Sequence, residues 1–283
     1  QDLAILAEGG LRAGRVENLA VRIRGTASTG AVLLVTHYDS VPAAPGAADD
    51  GAGVAALLET IRALRVLPRP RNDIIVLFTD AEEGGLLGAA AFAERHPWVR
   101  DIRVAFNFEA RGTSGPVWMF ETGPDNGVVV EEWARLVPRP AGSSLVYQVY
   151  KRMPNDTDFT VFKELGVPGL NFAFIGDWEN YHTSRDALAT IDRGSLQHHG
   201  EAALALARSF GQRDLRAIRA PDKVYFAMPV VGLAARYPTW WGMPIAVAAA
   251  FALVAIVVLR RRRGETSLGG LVVAFVIGRK RAW

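Results

Sequence analysis

The chain has 283 residues, half of them apolar and 22% charged, which suits one large α/β domain with an appendage and excludes global disorder. It contains no cysteine, and that excludes a disulfide framework, a thiol nucleophile and thiolate metal ligands. The net charge of +3 is set by a tail in which Arg260, Arg261, Arg262, Arg263, Arg279, Lys280 and Arg281 face one acid, Glu265. Residues 1–259 carry 25 basic and 28 acidic groups, so they present no basic field for nucleic acid.

The chain starts at Gln1 without an initiator methionine or a basic-then-apolar leader, and is read as a fragment or a mature form. Residues 31–36 (AVLLVT) and 73–79 (DIIVLFT) are apolar throughout and bounded by turn residues, the pattern of strands buried on both faces. Residues 53–64 and 86–94 read as the helices that follow them. Residues 102–108 and 169–174 read as further strands, and residues 195–210 as a long helix with alanine and leucine at helical spacing. This alternation predicts a three-layer α/β/α domain with a mostly parallel central sheet. No internal repeat or low-complexity stretch is present.

No charge occurs between Thr239 and Arg260. The 20 residues from Trp240 to Leu259 span about 30 Å as a helix, the hydrocarbon thickness of a bilayer. Trp240 and Trp241 stand at one end like an interfacial aromatic belt, and four arginines close the other. A core helix is the alternative, but core helices are usually shorter and amphipathic, so a membrane span is expected. The positive-inside tendency puts Arg260–Arg263 in the cytoplasm and residues 1–238 outside it. Residues 268–277 form a second apolar stretch that is too short to span; it reads equally as the start of another helix or as an irregular tail.

In open α/β sheets, functional residues gather past the carboxyl ends of strands. Those ends carry His37-Tyr38-Asp39, then Asp49-Asp50 ahead of a helix, then Asp80-Ala81-Glu82-Glu83, Asn107-Phe108-Glu109 and finally Tyr181-His182. Two imidazoles and several carboxylates, with no sulfur, suit one or two zinc or related divalent ions in an open catalytic site. Each signal alone is weak. Asp49 and Asp50 also read as a turn and helix N-cap, and Glu82-Glu83 as a solvated first helical turn. Their joint order at successive strand ends carries the argument.

The motifs HYD (37–39), GAADDGAG (46–53), DAEEGGLLG (80–88), NFEARG (107–112) and YHTSRD (181–186) together resemble the zinc aminopeptidase family M28, over roughly residues 10–210. MPNDTDFTVF (153–162) and NFEARGTSGP (107–116) resemble its membrane-bound branch, which includes endoplasmic reticulum metallopeptidases, vacuolar membrane proteases and bacterial relatives. In that branch a lumenal or periplasmic peptidase domain precedes several transmembrane helices. The resemblance implies that Asp49 bridges two zinc ions, with Glu83 and His182 completing one site and His37 and Glu109 the other. It implies Glu82 as general base, Asp39 as the residue that orients His37, and Tyr181 as a donor to the oxyanion. Two cations about 3.5–4 Å apart need a bridging carboxylate to offset their repulsion, and they lower the pKa of a shared water to near 7. Soluble members usually carry aspartate where this chain has Glu109; the extra methylene alters reach and denticity, and the membrane branch shares it.

The expected organisation is a zinc peptidase domain (1–215), a juxtamembrane segment (216–239), a transmembrane helix (240–259), and a basic cytoplasmic tail or the start of a further membrane segment (260–283). The leading function is a membrane-anchored dizinc exopeptidase, an aminopeptidase acting on peptides outside the cytoplasm. Its rivals are a single-zinc acyltransferase of the glutaminyl cyclase type and a non-catalytic receptor or assembly subunit on the same fold. The complete set of five ligands argues against both, and transport is a poor fit to one complete span. Other residues take plainer readings: His96 as a helix C-cap, His198 and His199 as surface or packing residues, Trp240-Trp241 as a membrane anchor, and Asp156 and Asp158 equally as a turn and N-cap or as residues that shape a substrate loop. Arg111 reads as the partner of a neighbouring acid or of a substrate carboxylate.

Overall fold

The apolar runs in the sequence form buried strands. In the computed structural model, which describes residues 2–7, 10–228 and 232–263, every residue of Ala31–His37 and Asp73–Thr79 is buried. The chain divides into two units, Gln1–Tyr237 and Pro238–Trp283. The first opens with a hairpin of β1 (Asp2–Ala7) and β2 (Gly10–Arg15). It continues through β3 (Leu19–Ile23), β4 (Ala31–His37), α1 (Gly51–Val66), β5 (Asp73–Thr79), α2 (Leu87–Arg95), β6 (Ile102–Ala110) and β7 (Ser114–Thr122). Then follow α3 (Gly127–Leu136), β8 (Ala141–Gly142), α4 (Ser144–Tyr150), α5 (Asp158–Glu164), β9 (Gly169–Gly176) and α6 (Arg193–Gln212). A two-stranded sheet of β10 (Lys223–Met228) and β11 (Leu233–Pro238) comes last.

Seven strands make the central sheet, in the order β3-β5-β4-β6-β9-β7-β8. The inner four, β5, β4, β6 and β9, run parallel, whereas β3 and β7 are antiparallel to their inner neighbours. The period of two along a strand sends alternate residues to opposite faces. Val32 and Leu34 meet Leu57 of α1, Trp133 of α3 and Phe210 of α6 in one core; Leu33 and Val35 meet Phe92 of α2 and Phe159 of α5 in the other. The molecule is therefore the α/β/α sandwich with a mostly parallel sheet that the alternation of elements predicts.

Parallel strands deliver their carboxyl ends to one edge. His37 pairs with Thr79 across β4 and β5, and Glu109 with Ala173 across β6 and β9. From β4 the chain crosses through α1 to β5 on one side, while β6 lies on the other. The β4/β6 boundary is thus where strand order reverses, the crevice at which such sheets bind ligands.

Several local readings change. Helix α2 begins at Leu87, so Glu82 and Glu83 occupy a turn ahead of it and not a solvated first helical turn. Neither Asp156 nor Asp158 caps α5; the N-cap is Thr157, Asp156 accepts from the Thr160 hydroxyl at 3.1 Å, and Asp158 is fully buried. His96 does close α2, its N–H donating to the Phe92 carbonyl. His198 and His199 are both buried, His198 accepting from the Val117 N–H at 3.2 Å and facing the Pro138 carbonyl at 2.9 Å. Residues 268–277 lie outside the described residues.

In the second unit, α7 (Gly242–Arg262) follows a short 3-10 turn at Thr239–Trp241. Thr239–Arg262 is the one helix among the described residues long and apolar enough to cross a membrane, with mean hydropathy 2.6 and none of its most apolar stretch buried. A core helix of that composition would be covered by protein. At about 1.5 Å per residue its 21 α-helical residues match a bilayer's hydrocarbon thickness.

His199 gives the fold a predictable acid sensitivity. It lies on α6 between Phe108 and Phe174, each ring centroid 5.4 Å away, and neither nitrogen has a hydrogen-bond partner among the described residues. Burial pushes its imidazole down to about 3, while an unfolded histidine titrates near 6.5. Between those values the unfolded chain binds a proton that the folded chain refuses, so stability falls with pH by about 1.4 kcal/mol per unit. In His199→Leu that loss disappears. Urea unfolding should show the variant gaining on the parent as pH drops from 6.5 towards 4; a stability difference that does not change with pH would contradict this.

Candidate metal centre

His37 is the last residue of β4, and its side chain is buried at the strand edge. Its Nδ1–H donates to the Asp39 carbonyl at 3.0 Å, with the Asp39 carboxylate 3.4 Å away. That fixes the tautomer and leaves the Nε2 lone pair for a cation. Nε2 sits 3.2 Å from Asp49 Oδ1 and 3.3 Å from Glu109 Oε2.

Asp49 lies in the loop entering α1, and Asp186 secures that loop. The Asp186 carboxylate accepts the Ala48 N–H at 2.7 Å and the Asp49 N–H at 3.1 Å. Next in the chain, Asp50 caps α1 by accepting from Gly53 N–H at 3.2 Å, while its other oxygen takes the Thr36 hydroxyl. A Cβ on Gly53 would stand 2.2 Å from that hydroxyl oxygen, so only glycine admits this buried pair. Asp50 therefore anchors the loop by capping, as its sequence context suggests, while Asp49 projects into the site.

Glu82 and Glu83 are aimed by the same Asp39 that holds His37. Its two oxygens accept their backbone N–H groups at 3.0 and 3.2 Å. Ala81 enters this turn at φ 55° and His182 sits at φ 56°, a left-handed conformation that costs a non-glycine residue about 1–2 kcal/mol. The His182 Nε2 lies 2.9 Å from Glu83 Oε1 and 3.1 Å from Asp49 Oδ2. Tyr181 stacks on the His182 ring with centroids 3.7 Å apart.

Glu109, on β6, is positioned from behind by buried amides. Asn107 Nδ2 donates to Glu109 Oε1 at 2.9 Å and to Asn171 Oδ1 at 3.0 Å. Asn171 in turn donates to Glu121 at 3.0 Å, and Lys163 pairs with Glu121 at 2.5 Å. One acceptor of this relay, Asn107 Oδ1, is buried with no partner among the described residues.

Two sets of three donors result, His37-Asp49-Glu109 and Asp49-Glu83-His182, the atoms within each lying within 4.8 Å of one another. They share Asp49, one oxygen to each imidazole. The electrostatics show what this arrangement lacks. Burial alone would depress His37, but the Glu109, Asp39 and Asp49 carboxylates hold its pKa well above the histidine range. His182 is raised chiefly by its hydrogen bond to Asp49. Glu82 is pushed well above the carboxylate range by burial and by Glu109, and Glu83 up to about 7 by burial and Asp49. Imidazoles and carboxylates that both cling to protons report a surplus of negative charge. Divalent cations would discharge it, and the nitrogen and oxygen donors suit zinc.

The centre forms the floor of an open cleft of about 1360 Å³. Trp118, Phe120, Val146, Val149 and Met153 build an apolar wall, and Tyr181 and Arg111 stand beside the donors. Several residues that matter here were passed over or misread from sequence. Asp186 was visible only as the end of the YHTSRD motif, and the amides of Asn107 and Asn171 only as polar residues inside buried strands. Asp158 is the sharpest case: one oxygen takes the Thr79 hydroxyl, the other has no partner, and burial lifts the carboxyl to about 7.

Residues 18–207 match the family model described as Peptidase family M28. The chain belongs to peptidase family M28. It is 35% identical over 191 residues to endoplasmic reticulum metallopeptidase 1 of Rattus norvegicus, covering 66% of this chain and 21% of that protein. It is 40% identical over 184 residues to the vacuolar membrane protease of Candida dubliniensis, covering 64% and 19% respectively. The chain thus spans about a fifth of the length of these M28 relatives. Among solved structures, a zinc aminopeptidase from Bacillus subtilis superposes with TM-score 0.55 at 24% identity, over 72% of this chain and 53% of that one. A glutaminyl cyclase from Porphyromonas gingivalis superposes with TM-score 0.55 at 23% identity, over 74% and 83%. Both likenesses concern the fold.

Proposed function

We propose that this M28 chain is a membrane-anchored dizinc exopeptidase of the aminopeptidase type. The observation that carries the reading is the Asp49 carboxylate, whose two oxygens face His37 and His182 separately at 3.2 and 3.1 Å. A single-metal acyltransferase of the glutaminyl cyclase kind needs three ligands, and this chain assembles five around one shared carboxylate. A non-catalytic subunit would have no use for Glu82, which touches neither imidazole and lines the cleft beside the donors.

His37, Asp49, Glu83, Glu109 and His182 would hold the zinc. Bound there, zinc supplies Lewis acidity and lowers the pKa of water from about 15.7 to near 7. Glu82 takes the proton of the attacking water and returns it to the leaving amine, a role that suits a buried carboxylate whose proton affinity is already raised. Asp39 keeps the turn bearing Glu82 and the ring of His37 in one geometry. The Tyr181 hydroxyl, in the cleft wall next to His182, is the donor to the developing oxyanion. Glu94, Asp156 and Glu164 add negative charge to the lining and favour a substrate's terminal ammonium.

On topology, Trp240 and Trp241 mark one interface and Arg260–Arg263 the cytoplasmic one, which puts residues 1–238 in the periplasm or an organelle lumen.

Two experiments test this reading. Glu82→Gln keeps size but cannot accept the proton, so kcat on peptide substrates should fall by about 10²–10⁴ while zinc is retained. Glu83→Gln should instead lower zinc affinity; the reverse pattern would overturn the assignment within the pair. The chain lacks cysteine, so single cysteines report sidedness. In the plasma membrane of a bacterial host, Glu59→Cys should react with an impermeant maleimide in intact cells, and Arg263→Cys only after permeabilisation. The opposite labelling would invert the topology.

A further inference from the structure

We infer that Arg111 receives a substrate carboxylate, so that the site takes short peptides bearing a negative charge within two or three residues of the bond cleaved. The inference rests on the peptidase reading and adds a substrate class to it.

Arg111 follows directly on β6, and its N–H donates to the Phe174 carbonyl at 2.9 Å, which carries the pairing with β9 one residue further. Alternation along that extended chain puts Arg111 on the same side as Glu109. Both line the cleft. Among the described residues of the lining, Arg111 is the only lysine or arginine, against seven aspartates and glutamates besides the apolar wall.

The ordinary fate of an arginine here would be a salt bridge to a neighbouring acid. Among the described residues it has none. Glu109, two residues back, is engaged by Asn107 and His37. What Arg111 does contact is the ring of Tyr181, 5.4 Å from the guanidinium carbon. A ring face attracts the cation but accepts none of its five N–H groups in ordinary hydrogen bonds. The fork is therefore left for a planar anion, and carboxylate matches it with two parallel bonds.

Its position sets the length of the substrate. Tyr181 contacts both the Arg111 guanidinium, at 5.4 Å, and the His182 ring, at 3.7 Å, so guanidinium and imidazole are no more than about 9 Å apart. Extended peptide advances about 3.5 Å per residue, so at most two to three residues of chain separate them. The charge that fits is the α-carboxylate of a di- or tripeptide, or an acidic side chain near the cleaved bond. Carboxylates and one arginine in the same lining would bind a short zwitterionic peptide by both termini.

The test measures binding apart from turnover. In zinc-loaded Glu82→Gln protein, calorimetric titration compares Leu-Gly-Gly with its C-terminal amide, and Leu-Glu-amide with Leu-Gln-amide. At least one charged probe should bind about tenfold or more tightly than its neutral counterpart. The first pair showing the preference identifies the α-carboxylate, the second the acidic side chain. Adding Arg111→Gln should reduce the preference to less than about twofold, and Arg111→Lys should keep part of it. No preference for charge in the parent protein overturns the proposal, whatever the variants do. A preference that survives in Arg111→Gln overturns it too. Cleavage of the same four probes by the chain with Glu82 intact is scored separately: failure there speaks against the peptidase reading, while the binding result still decides Arg111.

Discussion

Four carboxylates and two imidazoles meet at one edge of a parallel sheet, and the surplus of buried negative charge they create is the constraint on which the rest of the structure depends. Asp49, Glu82, Glu83 and Glu109 cannot all be ionised in a buried site without positive charge between them. Protons meet part of the need in the protein alone, as the raised His37, Glu82 and Glu83 show. In the reading proposed here, divalent ions meet the rest, and the shared Asp49 carboxylate would serve two of them. Much of the surrounding architecture is support for this cluster. Asp186 ties down the Asp49 loop, Asp39 ties together His37 and the glutamate turn, and Asn107 connects Glu109 to a buried relay ending at Lys163.

That dependence explains why the site sits where it does. Parallel strands bring four carboxyl ends to the same edge, and the reversal of strand order between β4 and β6 opens the crevice. His37 on β4 and Glu109 on β6 face each other across it at 3.3 Å. Two of the positive-φ residues, Ala81 and His182, lie in the loops that bring donors in. Left-handed backbone at these two positions is a local cost the surrounding contacts must offset.

Much of this was legible in the chain itself. Buried strands such as 73–79 are plain in sequence because both faces are covered and the run from Ile74 to Phe78 is wholly apolar. The candidate donors are legible because each lies at a strand's carboxyl end or in the loop that follows one, positions defined by local pattern. What could not be read were interactions between distant segments. Asp158 looks like a helix cap because its neighbours are Asn155, Asp156 and Thr157, yet β5 approaches it and buries it against Thr79. His199 looks like an ordinary polar residue on α6 until Phe108 and Phe174 close over it. For Arg111, sequence favoured a neighbouring acid over a substrate carboxylate; the geometry shows that no acid among the described residues pairs with it.

The relatives of this chain include membrane proteins of the endoplasmic reticulum and the vacuole, and α7 gives this chain its own candidate span. The central claim, though, is electrostatic: a cluster with this much negative charge around one shared carboxylate is made for two cations. The most direct test is equilibrium dialysis of the full chain in detergent against excess zinc, followed by elemental analysis of bound metal per chain. The account predicts two ions. One ion at saturation, or none, would contradict it.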